Sequence, residues 1–146
     1  MRARPLLVVA LLGAGSLGLG GTGSSPGKVP TPTRNFGAEV TDRAGVVTRA
    51  TQVSCGGETF IVGKRGETTL TVGFEKVRRV RFGTPADKAV EATVETVGGD
   101  TLRLRVDRDL VCAGHTEFGT VQIQAGDLQS LVLTGEAREG GAGTRR

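Results

Sequence analysis

The sequence predicts an all-β domain, a small barrel or sandwich built from two related units of about 50 residues each. Three observations predict it. Apolar and polar residues alternate with period two over much of residues 36–135, Gly-rich turns punctuate the alternation, and two alternating segments register on each other at a fixed spacing. Apolar residues at helical spacing are nearly absent, which argues against a helical bundle. The 24 Gly follow no triplet period, which excludes a collagen-like chain.

The chain opens as an export signal. Arg2 and Arg4 form a charged start, Leu6 to Leu12 is an unbroken apolar run, and Ser16-Leu17-Gly18 or Gly18-Leu19-Gly20 offers the small residues of a cleavage site. Residues 1–23 are therefore expected to be a signal peptide, with its cut site open between those two positions. The alternative is an N-terminal membrane anchor, since no charge falls between Pro5 and Gly27. Seven Gly in that stretch and an apolar run of only seven residues count against a spanning helix. The first Cys is Cys55, too far along for a bacterial lipoprotein. Residues 24–35 hold three Pro and no apolar pattern, and read as an extended linker.

Strand then follows strand. Thr48 to Cys55 and Phe60 to Gly63 read as strands separated by Gly56-Gly57, and Thr69 to Phe74 and Thr120 to Gln124 alternate as well. The clearest hairpin spans Val90 to Asp107, where Val90, Ala92, Val94, Leu102, Leu104 and Val106 share a face on either side of Gly98-Gly99-Asp100. A three-residue loop there sets Val94 opposite Leu104 and Glu95 opposite Arg103; a two-residue loop would mix the faces. Thr84-Pro85-Ala86-Asp87 is the only helix-like start, good for a single turn before β-branched residues take over. Residues 136–146, Gly-rich and charged, are expected to be a disordered tail.

A shift of 51 residues (131 − 80) lays Thr69–Phe82 on Thr120–Leu133 without a gap. Leu70, Val72, Val77, Val80 and Phe82 fall on Val121, Ile123, Leu128, Leu131 and Leu133, and Gly63 falls on Gly114. The units so defined cover about 40–84 and 90–135, and one alone would bury too little to stand by itself. The second copy, Phe118-Gly-Thr-Val-Gln-Ile-x-x-x-Asp-Leu-x-Ser-Leu-Val-Leu133, resembles a strand–turn–strand pattern of exported bacterial β-proteins of unknown function and, more loosely, of small Sm-like barrels. The resemblance covers 16 residues and implies a fold alone; it transfers no catalytic or binding residue.

The net charge of +4 belongs to the chain ends, because residues 36–134 hold 12 Lys or Arg against 13 Asp or Glu. With five Phe and no Trp or Tyr there are few stacking platforms, so no nucleic-acid partner is expected. Two Cys and one His cannot build a zinc finger. Cys55 and Cys112, an even count in an exported chain, read as a disulfide joining the two units; the other reading is two buried thiols. Cys112-Ala-Gly-His115, with Asp107 or Glu117 as orienting acid, has the residue types of a thiolate–imidazole pair. More simply, Gly114-His115 marks a turn between strands, equivalent to Gly63-Lys64. Asp107-Arg108-Asp109 offers oxygens to calcium but lacks the surrounding loop of acids, and reads as a charged turn. Lys76, Arg78, Arg79 and Arg81 form a basic row in which Arg79 and Arg81 share one face. It fits either an anionic ligand (acidic protein, glycan or lipid headgroup) or charged protection of an edge strand.

The functional expectation is an exported, non-catalytic module of the cell envelope or exterior, binding or structural, with no cofactor and no transmembrane segment once mature. Its partner would be an envelope protein or an anionic polymer. The alternative is anionic-ligand binding through the basic row, and a third reading is a cysteine-dependent enzyme.

Overall fold

In a computed structural model of the chain, residues 29–137 are described. They form ten strands: β1 (Asn35–Asp42), β2 (Val47–Cys55), β3 (Phe60–Arg65), β4 (Thr68–Gly73), β5 (Val77–Phe82), β6 (Ala89–Thr96), β7 (Thr101–Asp107), β8 (Val111–Thr116), β9 (Gly119–Gln124) and β10 (Leu128–Ala137). All belong to one antiparallel sheet in the order β4-β3-β7-β6-β5-β10-β1-β2-β8-β9. The protein is all-β as predicted, but the sheet does not close into a barrel. The expected signal peptide, residues 24–28 of the expected linker and the tail from residue 138 lie outside the described residues.

With no α-helix among the described residues to cover it, the sheet can bury its apolar face only against itself. The alternation makes this work: Val90, Ala92 and Val94 on β6 and Leu104 and Val106 on β7 point into one continuous core, which Phe36, Ile61, Phe74, Leu128 and Leu131 complete.

The internal repeat governs the topology. Replacing each of β1–β5 by its counterpart in β6–β10, and the reverse, turns the strand order into itself read from the other end. The pseudo-two-fold relation centres on the β5–β10 pair, where Val80 lies opposite Leu131, its own repeat equivalent. The two units are not separate bodies, however. β2 pairs with β8 and β3 with β7, so each half of the sheet draws on both units. One half is the continuous segment β3–β7. The other joins β1 and β2 to β8, β9 and β10, which come from opposite ends of the described chain.

Gly63 and Gly114 mark the equivalent crossings. A Cβ at Gly63 would meet Leu104 Cβ at 2.8 Å and the Arg105 carbonyl oxygen at 3.1 Å; at Gly114 it would meet Ala50 Cβ at 2.9 Å and the Thr51 carbonyl oxygen at 3.1 Å. Both glycines therefore sit inside strands, β3 and β8, and not in the turns expected for them. The role is close approach of two backbones. The Ala50–Leu104 equivalence corresponds to a shift of 54 (104 − 50), which is why a gapless comparison at 51 misses the first hairpins.

Other expectations need correction. Val94 pairs with Leu102 and Glu95 with Thr101, two residues off the expected register. The loop is still three residues long but is Val97-Gly98-Gly99, closed by Thr96 N–H to the Asp100 carbonyl at 2.9 Å. Such loops end on a left-handed residue, and Gly99 (φ 95°) takes that place more easily than Asp100 would. The faces are as expected because the loop stays odd. Thr84–Asp87 forms no helical turn: Ala86 and Ala89 exchange backbone hydrogen bonds around Asp87 at φ 55°. Helical turns of 3-10 type occur instead at Phe74–Lys76 and Ala125–Asp127, again 51 apart (125 − 74).

Two links join distant parts of the described chain. Cys55 and Cys112 lie opposite each other in the β2–β8 pair and form a buried disulfide spanning a sequence separation of 57. Arg34 donates to both carboxylate oxygens of Glu136 at 2.8 Å and to Glu75 at 3.2 Å, with its guanidinium 4.8 Å above the Phe36 ring. The Arg34 hydrogen bonds hold the Glu136 carboxyl below the usual carboxylate range. Glu136, expected in the tail, is thus part of β10.

Candidate functional site

Two turns of the half built from both chain ends rise on either side of a cleft. In the β1–β2 turn, Asp42 Oδ1 accepts from the N–H groups of Ala44 (2.9 Å) and Val46 (3.0 Å), and Gly45 supplies a left-handed φ of 83°. This short Asx-type turn leaves Val46 and Val47 exposed, at 57% and 55%. In the β8–β9 turn, Thr116 Oγ1 accepts from the Phe118 N–H at 3.1 Å and donates to the Gly119 carbonyl at 2.9 Å. The tight closure pushes Phe118 outward, where it is 92% exposed.

The cleft between them encloses about 810 Å³. Val47, Phe118, Glu39, Arg49, His115 and Glu117 line it, over a floor that includes Gly37, Ala38 and Ala50. Glu39 faces Arg49 across the hairpin at 3.5 Å, and among the described residues Glu117 has no ion-pair partner. His115 stands opposite Thr51 on β2, and its Nε2 is buried without a hydrogen-bond partner. A cleft with an apolar rim, one Glu–Arg pair, one imidazole and the unpaired Glu117 can seat an apolar side chain with a cationic group beside Glu117. A smaller cleft, about 380 Å³, on the other half overlaps the equivalent place, with Arg103, Leu104, Arg105 and Lys64 where the larger has Arg49, Ala50, Thr51 and His115.

The candidate residues read from sequence are scattered with respect to this cleft. Cys112 is bonded to Cys55, so its sulfur is not a thiolate, and of the proposed thiolate–imidazole set only His115 and Glu117 reach the cleft. Asp107 Oδ1 accepts the Asp109 N–H at 2.8 Å, which makes Asp107-Arg108-Asp109 a side-chain-closed turn at the end of β7. The basic row lies on β5 and the 3-10 turn before it. β5 pairs with β6 on one side and β10 on the other, so it is a central strand and edge protection is not its role. Arg79 and Arg81 do share the outward face, and both reach Glu95, at 3.9 and 3.3 Å. The expected Glu95–Arg103 pairing gives way to these contacts. Lys76 and Arg78 are exposed, with no ion pair among the described residues. Val46, Val47 and Phe118 were not singled out from sequence; the signal was present as a lone aromatic inside the polar turn Thr116-Glu117-Phe118-Gly119.

Among the described residues no helix is long and apolar enough to cross a membrane. The model of a family described as "Uncharacterised protein" matches residues 32–136, nearly the whole of the sheet. No curated protein and no solved structure matches the chain significantly.

Proposed function

The chain belongs to that uncharacterised protein family, and from this premise we propose that it is an exported, non-catalytic binding module of the cell envelope or exterior. Its binding surface is the larger cleft, and its partner is a protein segment that places an apolar side chain between Val47 and Phe118, with a cationic group near Glu117. One observation carries the reading. Of six exposed large apolar residues among those described, Val47 and Phe118 line one cleft and Val46 adjoins Val47 in the same turn, while Val62, Val97 and Val111 lie outside that lining. Exposed apolar groups that cluster are usual at interaction sites, whereas scattered ones need no explanation. A buried disulfide and the leader-like first 23 residues support export, since disulfides persist in oxidising compartments.

Nile red, a neutral dye that brightens in apolar surroundings, probes the cleft. Saturable brightening is expected with the native protein, and its loss in a Phe118→Ser, Val47→Ser variant that unfolds at the same temperature. Equal brightening by both proteins would overturn the assignment. Export is checked by intact-mass measurement under non-reducing conditions after expression of the full chain in a bacterium with a periplasm. A periplasmic species lacking the leader and the two thiol hydrogens is expected; full-length chain retained in the cytosol would contradict it.

A further inference from the structure

The smaller cleft shares part of its lining with the repeat equivalent of the larger one, with different chemistry at the shared positions. Lys64 takes the place of His115, 51 residues on (115 − 64), and Arg103 and Arg105 take the places of Arg49 and Thr51, 54 residues apart (103 − 49). The exchange adds cations at two positions, Lys64 and Arg105, and at a third it takes the acid from opposite the arginine. Arg49 lies opposite Glu39, whereas Arg103 lies opposite Thr93. His115 lies opposite Thr51, whereas Lys64 lies directly opposite Arg105. Like charges in directly opposed positions oppose pairing, and nothing in the packing requires them here, since all three side chains are exposed.

Glu91 is the one carboxylate lining this cleft; it stands opposite Arg105 and makes no ion pair within 4.0 Å among the described residues. The nearby Glu95 is already shared by Arg79 and Arg81. Lys64, Arg103 and Arg105 against Glu91 leave an excess of two positive charges in the lining. Arg79 and Arg81, both on β5 and two strands from Arg103 and Arg105, add to the field on the same outward face without touching the cleft.

From this divergence we infer that the cleft lined by Lys64, Arg103 and Arg105 binds a phosphate group. A phosphate carries a charge of about −1.5 to −2 at neutral pH, which matches the local excess. Planar guanidinium forks grip such an oxoanion in pairs, with the ammonium as a third, mobile donor. The volume, about 380 Å³, suits a small phosphorylated ligand or one headgroup. The site is distinct from the apolar cleft and does not depend on export.

Isothermal titration of the full chain uses inorganic pyrophosphate in one arm. The other uses phosphatidylcholine vesicles with a minority of phosphatidylglycerol. Binding of pyrophosphate is expected, weakening with added salt. Arg103→Gln and Lys64→Gln should each weaken it by roughly tenfold or more, the loss of one charge-assisted contact. Thr93→Glu should do the same while removing no cation, because it gives Arg103 the partner that Arg49 already has. Arg78→Gln, which removes an exposed cation outside the cleft, should leave binding within about twofold. Pyrophosphate binding alone identifies a soluble phosphate compound, and binding in both arms a phospholipid headgroup. No binding of pyrophosphate, or an Arg78→Gln loss equal to that of Arg103→Gln, would overturn the site. Unchanged melting temperatures across the set separate binding from folding.

Discussion

Replacing both Cys55 and Cys112 by Ala is expected to lower the unfolding free energy by about 4 kcal/mol, the loop-closure entropy that a crosslink across 57 residues removes from the unfolded chain. For a domain of this size the melting temperature should fall by roughly 15–25 °C. The loss has a location as well as a size. The half made of β1, β2, β8, β9 and β10 is assembled from opposite ends of the described chain, and the disulfide is its covalent closure. The half made of β3–β7 is one uninterrupted segment. Hydrogen exchange in the variant should therefore quicken first in β2 and β8, while β6 and β7 keep their protection. Uniform quickening across all strands, or an unchanged denaturation midpoint, would refute this account.

The second large effect is expected at the centre of the pseudo-two-fold relation. Leu131 is fully buried, lies opposite Val80 on β5 and opposite Val40 on β1, and so packs where the two halves meet. Leu131→Ala should cost about 2–5 kcal/mol, the transfer term plus the cavity that a stiff sheet cannot collapse. The neighbouring outward-facing Ser130→Ala should stay within about 0.5 kcal/mol. Urea denaturation separates the outcomes: the midpoint should fall with the slope unchanged, because the buried surface is nearly the same. A Leu131→Ala midpoint equal to that of Ser130→Ala would show that the halves do not depend on this contact.

Much of this fold was legible along the chain. Period-two alternation placed Val90, Ala92 and Val94 inside, and the matched segments Thr69–Phe82 and Thr120–Leu133 do occupy equivalent places, each with its 3-10 turn. Glycine spacing gave the right positions, Gly63 and Gly114, with the wrong role, since a turn and a close strand crossing ask for the same residue. For the basic row, the shared face of Arg79 and Arg81 was legible, whereas edge protection, one of the two readings, fails because edge or centre depends on which strands arrive from elsewhere. Of the cleft that carries the functional reading, only His115 and Glu117 were marked in advance, and for another chemistry.

By itself the sequence determined what is local, strand composition and inward and outward faces, and it offered the duplication and the Cys55–Cys112 pairing as readings that the structure then bore out. Only the tertiary structure decided that the duplicated units exchange partners, β2 with β8 and β3 with β7. It also decided that Lys64 meets Arg105 while His115 meets Thr51. The reason is physical. Alternation fixes which face of a strand is apolar, but any apolar face can cover another, so the choice among partners rests on backbone crossings and loop lengths summed over the whole sheet.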